Sequence, residues 1–471
     1  MSDDNFYVIG DEKDLYEKRK KIFPKKVSGT FNTLRVLSVW LLLGLYYVLP
    51  WVTWNDQQAV LFDLPARKFQ IFGLTYWPQD FIYLAMLLII AALALFFFTA
   101  VAGRLWCGYA CPQTVWTEAF IWMERLVEGD RNKQVKLEKE PWTFRKVRLR
   151  ATKHLLWIVF ALFTGFTFVG YFTPIKELTD SLQTLSFSGW EWFWILFYSF
   201  ATWGNAGMLR EQVCIYMCPY ARFQSAMFDK DTLIIAYDEK RGEQRGGRKK
   251  DMSKEEYQAE GLGDCIDCMQ CVHVCPTGID IRDGLQYECI ACAACIDACD
   301  DVMEKMGYEK NLIRYTSENH DAGGKLRLLR PKTVGYGIAL LAITTLFILS
   351  IWFRTPLELD IIKDRNRLYV TNSEGFIVNI YKLRILNKDQ VGHTYTINVS
   401  GNENLIYQGP KQVSLPSEGI REVPVRVALD PYYLKDSSFE VNFTLQAVDS
   451  ESIKVVQDAK FIGPVQRKRR R

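Results

Sequence analysis

Long apolar segments without charge alternate with strongly charged segments along this chain of 471 residues. An α-helix needs roughly 20 apolar residues to cross a bilayer. Five segments meet that requirement, which predicts five membrane spans: Val36–Trp54, Phe81–Val101, Leu155–Ile175, Trp192–Leu209 and Thr333–Phe353. The fourth is the least regular because Gly204, Asn205 and Gly207 interrupt it, and its alternative is a buried or re-entrant segment.

Basic residues are concentrated in particular connecting segments. They are frequent before the first span, between the second and third spans, and before the fifth, whereas the segment after the third span has only Lys176. Because Lys and Arg favour the cytoplasmic ends of spans, this distribution predicts a cytoplasmic N-terminus and an external C-terminus. The net charge of +4 therefore indicates membrane orientation rather than nucleic-acid binding. The predicted location is a membrane that the chain crosses several times.

Short segments of alternating apolar and polar residues follow the fifth predicted span, and turn residues separate them. They are Gly375–Leu386, His393–Val399, Glu422–Ala428 and Phe439–Ala447. Several short strands within about 110 residues are typical of an immunoglobulin-like β-sandwich. We expect this domain to occupy residues 356–465 outside the membrane, with a basic tail at 466–471.

All twelve cysteines lie between Cys107 and Cys299, on the predicted cytoplasmic side. Disulfides are rare in a reducing compartment, so this placement favours metal or redox chemistry. Eight of the cysteines form two runs with the spacing C-x2-C-x2-C-x3-C: Cys265, Cys268, Cys271 and Cys275, then Cys289, Cys292, Cys295 and Cys299. Zinc sites, the alternative, use C-x2-C pairs rather than triple runs.

Runs of this kind bind two four-iron, four-sulfur clusters, and the fourth cysteine of each run binds the other cluster. The first cluster would therefore be held by Cys265, Cys268, Cys271 and Cys299. The second would be held by Cys289, Cys292, Cys295 and Cys275. Pro276 follows the first run, whereas Asp300 stands in that position after the second. We hypothesise that the acidic residues Asp297, Asp300 and Asp301 help lower the reduction potential there.

The remaining four cysteines form a repeated motif, C-x-Y-x-C-P, at the cytoplasmic ends of the second and fourth predicted spans. The pairs are Cys107 with Cys111 and Cys214 with Cys218. The repeat indicates a duplicated two-span segment. In a helix, cysteines four residues apart would share one face, and the proline would mark a helix boundary. Four soft thiolates brought together suit Cu(I) or a third iron–sulfur cluster; buried structural cysteines and a dithiol–disulfide relay remain alternatives.

These features together resemble the cytochrome c oxidase accessory protein family of the CcoG/FixG/RdxA type, which is related to NapH-like membrane polyferredoxins. The resemblance covers nearly the whole chain, including the run Gly263–Tyr315 and the tripeptide Asp364-Arg365-Asn366. It implies a location in the bacterial inner membrane and a role in assembling the cbb3-type oxidase, with reduction of Cu(II) to Cu(I) as the activity. It also implies that all twelve cysteines are functional, eight on clusters and four at the membrane edge.

The predicted organisation is thus a multi-domain membrane protein. A basic segment (1–34) precedes a membrane domain with spans one to four (35–240), a two-cluster ferredoxin-like domain (241–330) with a linker at Arg241–Lys254, and span five (331–355). We expect copper as the substrate, an unidentified cytoplasmic electron donor, and oxidase subunits or copper-delivery proteins as partners. The rival hypotheses are a quinol-linked electron conduit to a partner reductase and a non-redox assembly chaperone.

Overall fold

The computed structural model describes residues 21–55, 57–225, 227–249, 252–364, 367–434 and 436–464. The chain divides into two compact units, one formed by 1–49, 89–170 and 176–342 and the other by 50–88, 171–175 and 343–471. Three sequence features lie outside the described residues: the N-terminal basic residues up to Lys20, the pair Arg365-Asn366, and the basic tail at 466–471.

Four helices in the described part of the chain are long and apolar enough to cross a membrane: Thr30–Trp51, Pro78–Ala102, Phe144–Val169 and Pro331–Trp352. They coincide with four of the five predicted spans. The predicted span Trp192–Leu209 is not among them. It consists of a 14-residue α-helix, Gly189–Thr202, followed by a π-helical segment, Trp203–Leu209. The number of five spans stays a prediction.

Two of the spanning helices begin earlier than the apolar pattern predicts. The first starts at Thr30 rather than Val36, and the third starts at Phe144 rather than Leu155. Thr143 caps the latter by accepting a hydrogen bond from the backbone N–H of Lys146. Hydrophobicity marks the part of a helix that lipid covers, whereas hydrogen-bonding caps fix where the helix begins.

Basic residues at the start of the third spanning helix are buried rather than solvated. Lys153 forms ion pairs of 3.2 Å with Glu124 and 3.0 Å with Glu128, on the helix Pro112–Glu128. Arg210 also pairs with Glu124, at 2.5 Å. Burial alone would raise the pKa of Glu124, but Arg210, Lys153 and Lys21 together hold that pKa at about 2. The Arg210–Glu124 pair joins the helix that follows Cys111 of the first C-x-Y-x-C-P motif to the segment that leads into the second motif.

The cysteine-rich segment of the first unit is framed by two antiparallel strands, Ile234–Tyr237 and Ile313–Thr316. Between them lie the helices Glu239–Gly242, Lys254–Ala259, Gln270–His273 and Ala294–Met306. The segment predicted as a linker contributes to this domain, because the backbone N–H of Gly246 and the side chain of Arg248 both donate to the carbonyl oxygen of Cys265. The polar composition of this segment reflects its hydrogen bonds to the loop that carries Cys265.

The second unit contains a β-sandwich with two antiparallel sheets. One sheet has the order Ile406–Gln408, Ile420–Leu429, Ile377–Asn387 and Leu357–Lys363, with Val370–Thr371 paired to Ile377–Asn387; the other has the order Gln412–Leu415, His393–Ser400, Ser438–Ala447 and Lys454–Ile462. Residues from both sheets, among them Tyr381, Tyr395 and Phe443, form one buried core. All four predicted strands are present. The others were missed because they are short or lie at sheet edges.

The segment 57–76 of the second unit forms a small antiparallel sheet of Val60–Asp63, Lys68–Ile71 and Leu74–Tyr76, which the sequence interpretation did not anticipate. It contacts the sandwich through Glu418, whose carboxylate accepts a hydrogen bond from Thr75. Asp80 forms ion pairs with Arg354 at 2.8 Å and with Lys388 at 2.9 Å. These polar contacts tie the connecting segment to the sandwich.

Candidate functional site

The two cysteine runs line two adjacent cavities in the first unit. The thiols of one cavity are those of Cys265, Cys268, Cys271 and Cys299. The other cavity is lined by Cys275, Cys289, Cys292 and Cys295, together with Cys271 on its wall. The fold therefore groups the eight thiols into the two sets that the spacing predicts, with the last cysteine of each run in the other run's set. We call these the first and second ligand sites.

The loops that present these thiols share an unusual backbone conformation. Asp267 and Met269 have φ values of 53° and 57°, and the corresponding residues of the second run, Ala291 and Ala293, have φ values of 52° and 59°. Residues other than glycine rarely adopt this left-handed region of backbone conformation. Left-handed residues alternating with right-handed ones turn successive N–H groups into one concave nest, a geometry that iron–sulfur sites use. The donor set and the backbone both fit a thiolate-bound cluster.

Most of these thiols are shielded from solvent. Burial raises the pKa of Cys271 and Cys289 to about 12 each, and it raises the pKa of Cys295 as well. A thiol with such a pKa keeps its proton at neutral pH unless a metal displaces it. The sites are thus suited to a tightly held inorganic group rather than to thiol exchange with solvent. All twelve cysteines are free thiols.

The acidic residues near the second cysteine run form hydrogen bonds and ion pairs with groups elsewhere in the chain. The carboxylate of Asp297 accepts hydrogen bonds from the backbone N–H groups of Phe31, at 3.2 Å, and Asn32, at 2.7 Å. Asp300 accepts from the backbone N–H of Asn311, and Asp301 pairs with Lys305. The hypothesis that these residues lower a reduction potential stays a prediction. Asp297 also caps the first spanning helix, and Asp300 acts electrostatically on the thiol of Cys299.

The two C-x-Y-x-C-P motifs share one local design. Cys107 lies in the short helix Leu105–Tyr109, and Cys111 is the cap of the helix that begins at Pro112. In the second motif, Cys214 lies in the π-helical turn Val213–Met217, and a new helix begins at Pro219. Each proline thus starts a helix, where its missing N–H costs nothing. The paired cysteines do not share one continuous helical face, contrary to expectation, because the helix breaks between them.

The fold brings the two motifs together. The thiol of Cys107 interacts electrostatically with those of Cys111, Cys214 and Cys218. Gln113 donates from its side-chain amide to the carbonyl oxygens of Asn205, at 2.9 Å, and Arg210, at 3.1 Å. This amide ties the first motif to the segment that leads into the second. We call Cys107, Cys111, Cys214 and Cys218 the membrane-edge thiols.

The first motif packs directly on the second ligand site. Cys107 contacts the apolar cluster that contains Ile290 and Cys292. Gly108 lies so close that a Cβ atom there would stand 2.8 Å from the carbonyl oxygen of Ile290 and 3.0 Å from the Cα atom of Cys292. Heavy atoms do not approach this closely without a hydrogen bond, so only glycine fits. The Tyr109 hydroxyl also approaches the carbonyl oxygen of Cys292, at 3.5 Å.

One buried cation near this contact was missed by the sequence interpretation, which assigned it only to the orientation signal. Arg104, which is 6% exposed, donates to the carbonyl oxygens of Ala221 at 2.9 Å, Cys289 at 3.3 Å, and Tyr287. Burial raises the pKa of Cys107 to about 12 and that of Cys214 to about 11, and the Arg104 charge opposes both shifts. The sequence signal that could have identified Arg104 is its position three residues before Cys107, the first residue of the motif.

The local geometry does not include a preformed site for a single metal ion. Among the residues that the structure describes, no three His, Cys, Asp or Glu side chains are arranged to hold one. Met217, a thioether candidate, is 59% exposed and lies with Cys218 on an open groove that also includes Arg222 and Phe223. The membrane-edge thiols are therefore reachable from this groove through Cys218.

Family models match three parts of the chain. A 4Fe-4S dicluster domain matches residues 209–318, which include both ligand sites and the second motif. A 4Fe-4S binding domain matches residues 84–130, which include the first motif. An "IG-like fold at C-terminal of FixG" matches residues 347–464, in agreement with the β-sandwich.

Curated relatives cover most of the chain. Protein RdxA of Cereibacter sphaeroides is 41% identical over 405 residues, which are 83% of this chain and 84% of that protein. Nitrogen fixation protein FixG of Rhizobium meliloti is 39% identical over 433 residues, covering 82% and 80% of the two chains. Ferredoxin-type protein NapH of Escherichia coli is 21% identical over 295 residues, covering 58% and 88%. The chain therefore belongs to the FixG/RdxA family of ferredoxin-type, iron–sulfur membrane proteins.

Proposed function

We propose that this protein carries electrons to Cu(II) at the membrane-edge thiols and so supplies Cu(I) for assembly of a cbb3-type oxidase. The observation that carries the proposal is the contact between the first C-x-Y-x-C-P motif and the loop Ile290–Cys292, with Gly108 as the point of closest approach. That contact puts the membrane-edge thiols beside the second ligand site. In this proposal, Cys265, Cys268, Cys271 and Cys299 hold one cluster, and Cys275, Cys289, Cys292 and Cys295 hold the other.

Four-iron clusters, when bound, supply one-electron transfer. The electron comes from a reduced flavin or iron–sulfur protein of the cytoplasm, which is oxidised by one electron for each Cu(II) reduced to Cu(I). The chain's contribution is to hold Cys107 and Cys214 close enough to interact and to seal Cys289 and Cys292 from water. Thiolates favour Cu(I) over harder ions, so the same side chains that accept Cu(II) stabilise the product.

The thiol pKa values favour a metal site over a dithiol–disulfide relay. Redox-active dithiols depend on a lowered pKa, which makes the thiolate available for attack. Burial instead raises the pKa of Cys107 to about 12 and that of Cys214 to about 11. A soft metal can displace these protons, whereas a disulfide substrate cannot.

A third iron–sulfur cluster at the membrane-edge thiols is a second candidate. The observation in its favour is the match of a 4Fe-4S binding domain to residues 84–130, which contain Cys107 and Cys111. In that case copper would react elsewhere, and the open groove beside Cys218 and Met217 is the nearest accessible surface. Iron and sulfide counts separate the candidates, because three clusters require twelve iron atoms per chain.

The test uses the full chain, purified without oxygen and reduced with dithionite. After removal of the reductant, Cu(II) is added and Cu(I) is measured with a specific chelator. We expect the double variant C107S/C214S to lose most of the activity while keeping eight iron atoms per chain. The matched control is Tyr216→Phe, an exposed residue of the second motif, which should retain activity. Undiminished Cu(I) formation by C107S/C214S would contradict the proposal, and oxidation of quinol without copper would favour the quinol-linked rival.

A further inference from the structure

The charges around the two ligand sites differ. Arg282 lines the first site and is 5% exposed, but its guanidinium pairs with Asp280 and Asp267, each at 2.6 Å. The negative charge of Asp300 also acts on Cys299 of that site. Arg248, whose side chain donates to the carbonyl oxygen of Cys265, is a second cation at this site. Two cations therefore stand against three carboxylates, and the surroundings of the first site are net negative.

The second ligand site has the opposite balance. Arg104 bonds to three carbonyl oxygens there, including that of Cys289, and among the described residues no carboxylate forms an ion pair with it. The other charges near Cys292 are those of Arg35 and Glu118, which pair with each other and so cancel. The surroundings of the second site are net positive because the Arg104 charge is not compensated.

We propose that Arg104 makes the second ligand site the more favourable place for an added electron, so that electrons run from the first site toward the membrane-edge thiols. A guanidinium stays charged at every physiological pH. Added negative charge at Cys289 is stabilised by this cation, and the stabilisation is greater than at a solvated position because Arg104 is buried. Reduction potentials of iron–sulfur sites follow the charge and hydrogen bonding around their ligands.

The position of Arg104 also favours electron transfer in the direction of the membrane-edge thiols. The same guanidinium acts on Cys289 of the second site and on Cys107 and Cys214 at the membrane edge. It therefore stabilises negative charge on both sides of the Gly108 contact, across which an electron leaves the second site. At the first site, Arg282 is neutralised by Asp280 and Asp267, and the other cation, Arg248, is only half-buried where it donates to Cys265. The proposal rests on the electron-transfer part of the proposed function and is independent of copper.

The test is a redox titration followed by EPR on the anaerobically purified full chain. Cys268→Ser removes a ligand of the first site. The redox couple that changes in this variant is therefore the one that belongs to the first site. In Arg104→Gln, the couple of the second site should move to more negative potential by at least 59 mV, which is a tenfold change in a one-electron equilibrium. The first couple should stay in place. Arg104→Lys keeps the charge and should move the second couple by less than 59 mV.

A second variant keeps the proposal testable if Arg104→Gln loses iron. Leu285 is 49% exposed and lines the same open cleft as Arg104 and Cys289. A surface carboxylate in Leu285→Glu should move the same couple to more negative potential. The control is Arg330→Gln, because Arg330 is paired with Asp229 and, within the described residues, its other side-chain hydrogen bonds go to Ala100 and Thr232 rather than to any cysteine. In Arg330→Gln, the reduction potentials of both ligand sites should stay unchanged.

Three results would overturn the proposal in variants that keep both clusters. The second couple could stay in place in Arg104→Gln or Leu285→Glu, the first couple could move instead, or Lys could shift the second couple as far as Gln does. A wild-type chain without iron and sulfide would overturn the proposed function itself, so the two failures are distinguishable by metal analysis alone.

Discussion

The carboxylate of Asp297, in the helix that carries Cys295 and Cys299, caps the first spanning helix by accepting a 2.7 Å hydrogen bond from the backbone N–H of Asn32. A second bond to this carboxylate comes from Phe31. Helix N-termini carry partial positive charge and unpaired N–H groups, and a carboxylate satisfies both. The cap residue, Gly29, has no room for a side chain, because a Cβ atom would meet the Asp297 carboxyl carbon at 2.3 Å.

Asp297→Ala should loosen the start of the first helix. Loss of a capping side chain costs about 1 kcal/mol. We expect faster hydrogen exchange at the amides of residues 30–33, measured by mass spectrometry, with the iron content retained. Asp301→Ala is the control, since Asp301 pairs with the exposed Lys305. Equal exchange in the two variants would show that the cap does not hold the helix.

Gly108→Ala should separate the first motif from the second ligand site. The added methyl group would overlap the backbone of Ile290 and Cys292, and overpacking of this kind costs about 1 to 3 kcal/mol. We expect slower electron delivery to Cu(II) in single-turnover measurements, with both clusters still reduced by dithionite. Gly44→Ala is the control, because nothing lies within 4 Å of that position. Unchanged delivery in Gly108→Ala would remove this contact from the electron route.

Glu124→Gln should destabilise the first unit. The variant removes the ion-pair partner of the buried Arg210 and leaves Lys153 with Glu128. Loss of one member of a buried ion pair costs about 3 to 5 kcal/mol. Thermal unfolding in detergent at pH 7 measures the loss, with Glu140→Gln at a more exposed position as the comparison. If both variants unfold at the same temperature, the network does not contribute to stability.

The ion-pair network around Glu124 also makes the stability of the protein depend on pH. The pKa of Glu124 falls from 4.5 to about 2 because the charges of Arg210, Lys153 and Lys21 outweigh its burial. A depressed pKa stabilises the folded state above pH 4.5, and this contribution is lost as the pH falls toward 2. The unfolding temperature of the wild type should therefore approach that of Glu124→Gln across this range. A constant difference would contradict the assignment.

His393 should make the β-sandwich less stable at high pH. Burial alone would lower its pKa, but Asp449 at 2.6 Å and Asp389 at 3.2 Å more than offset this and raise it. A raised histidine pKa stabilises the folded state below the pKa of about 6.5 of an unfolded histidine, and the contribution is lost as the pH rises through the folded value. The wild type should exceed His393→Gln in thermal stability at pH 5.5, and the difference should shrink by pH 9. A difference that grows with pH would have the wrong sign.

Sequence spacing was sufficient to group the eight ligand thiols, because two-residue gaps oblige a chain to wrap around one centre. Apolar length likewise located four spanning helices, since the bilayer thickness is constant. The cap by Asp297 on Asn32 joins residues 265 positions apart, and no local pattern reveals such a pair. Arg104 was counted as one more basic residue beside a span, because its burial and its bonds to three carbonyl oxygens are visible only in three dimensions. The helix breaks at Pro112 and Pro219 were predicted, but the loss of a common cysteine face was not.

The Gly108 contact has a bearing on how the chain was put together. The repeated motifs point to an ancestral doubling, yet the ferredoxin-like segment, which follows the second copy in the sequence, rests on the first. A gene fragment that encodes only the later copy and the segment after it would lack the surface on which that segment sits. The ferredoxin-like segment thus depends on the earlier copy for the surface against which Ile290 and Cys292 pack.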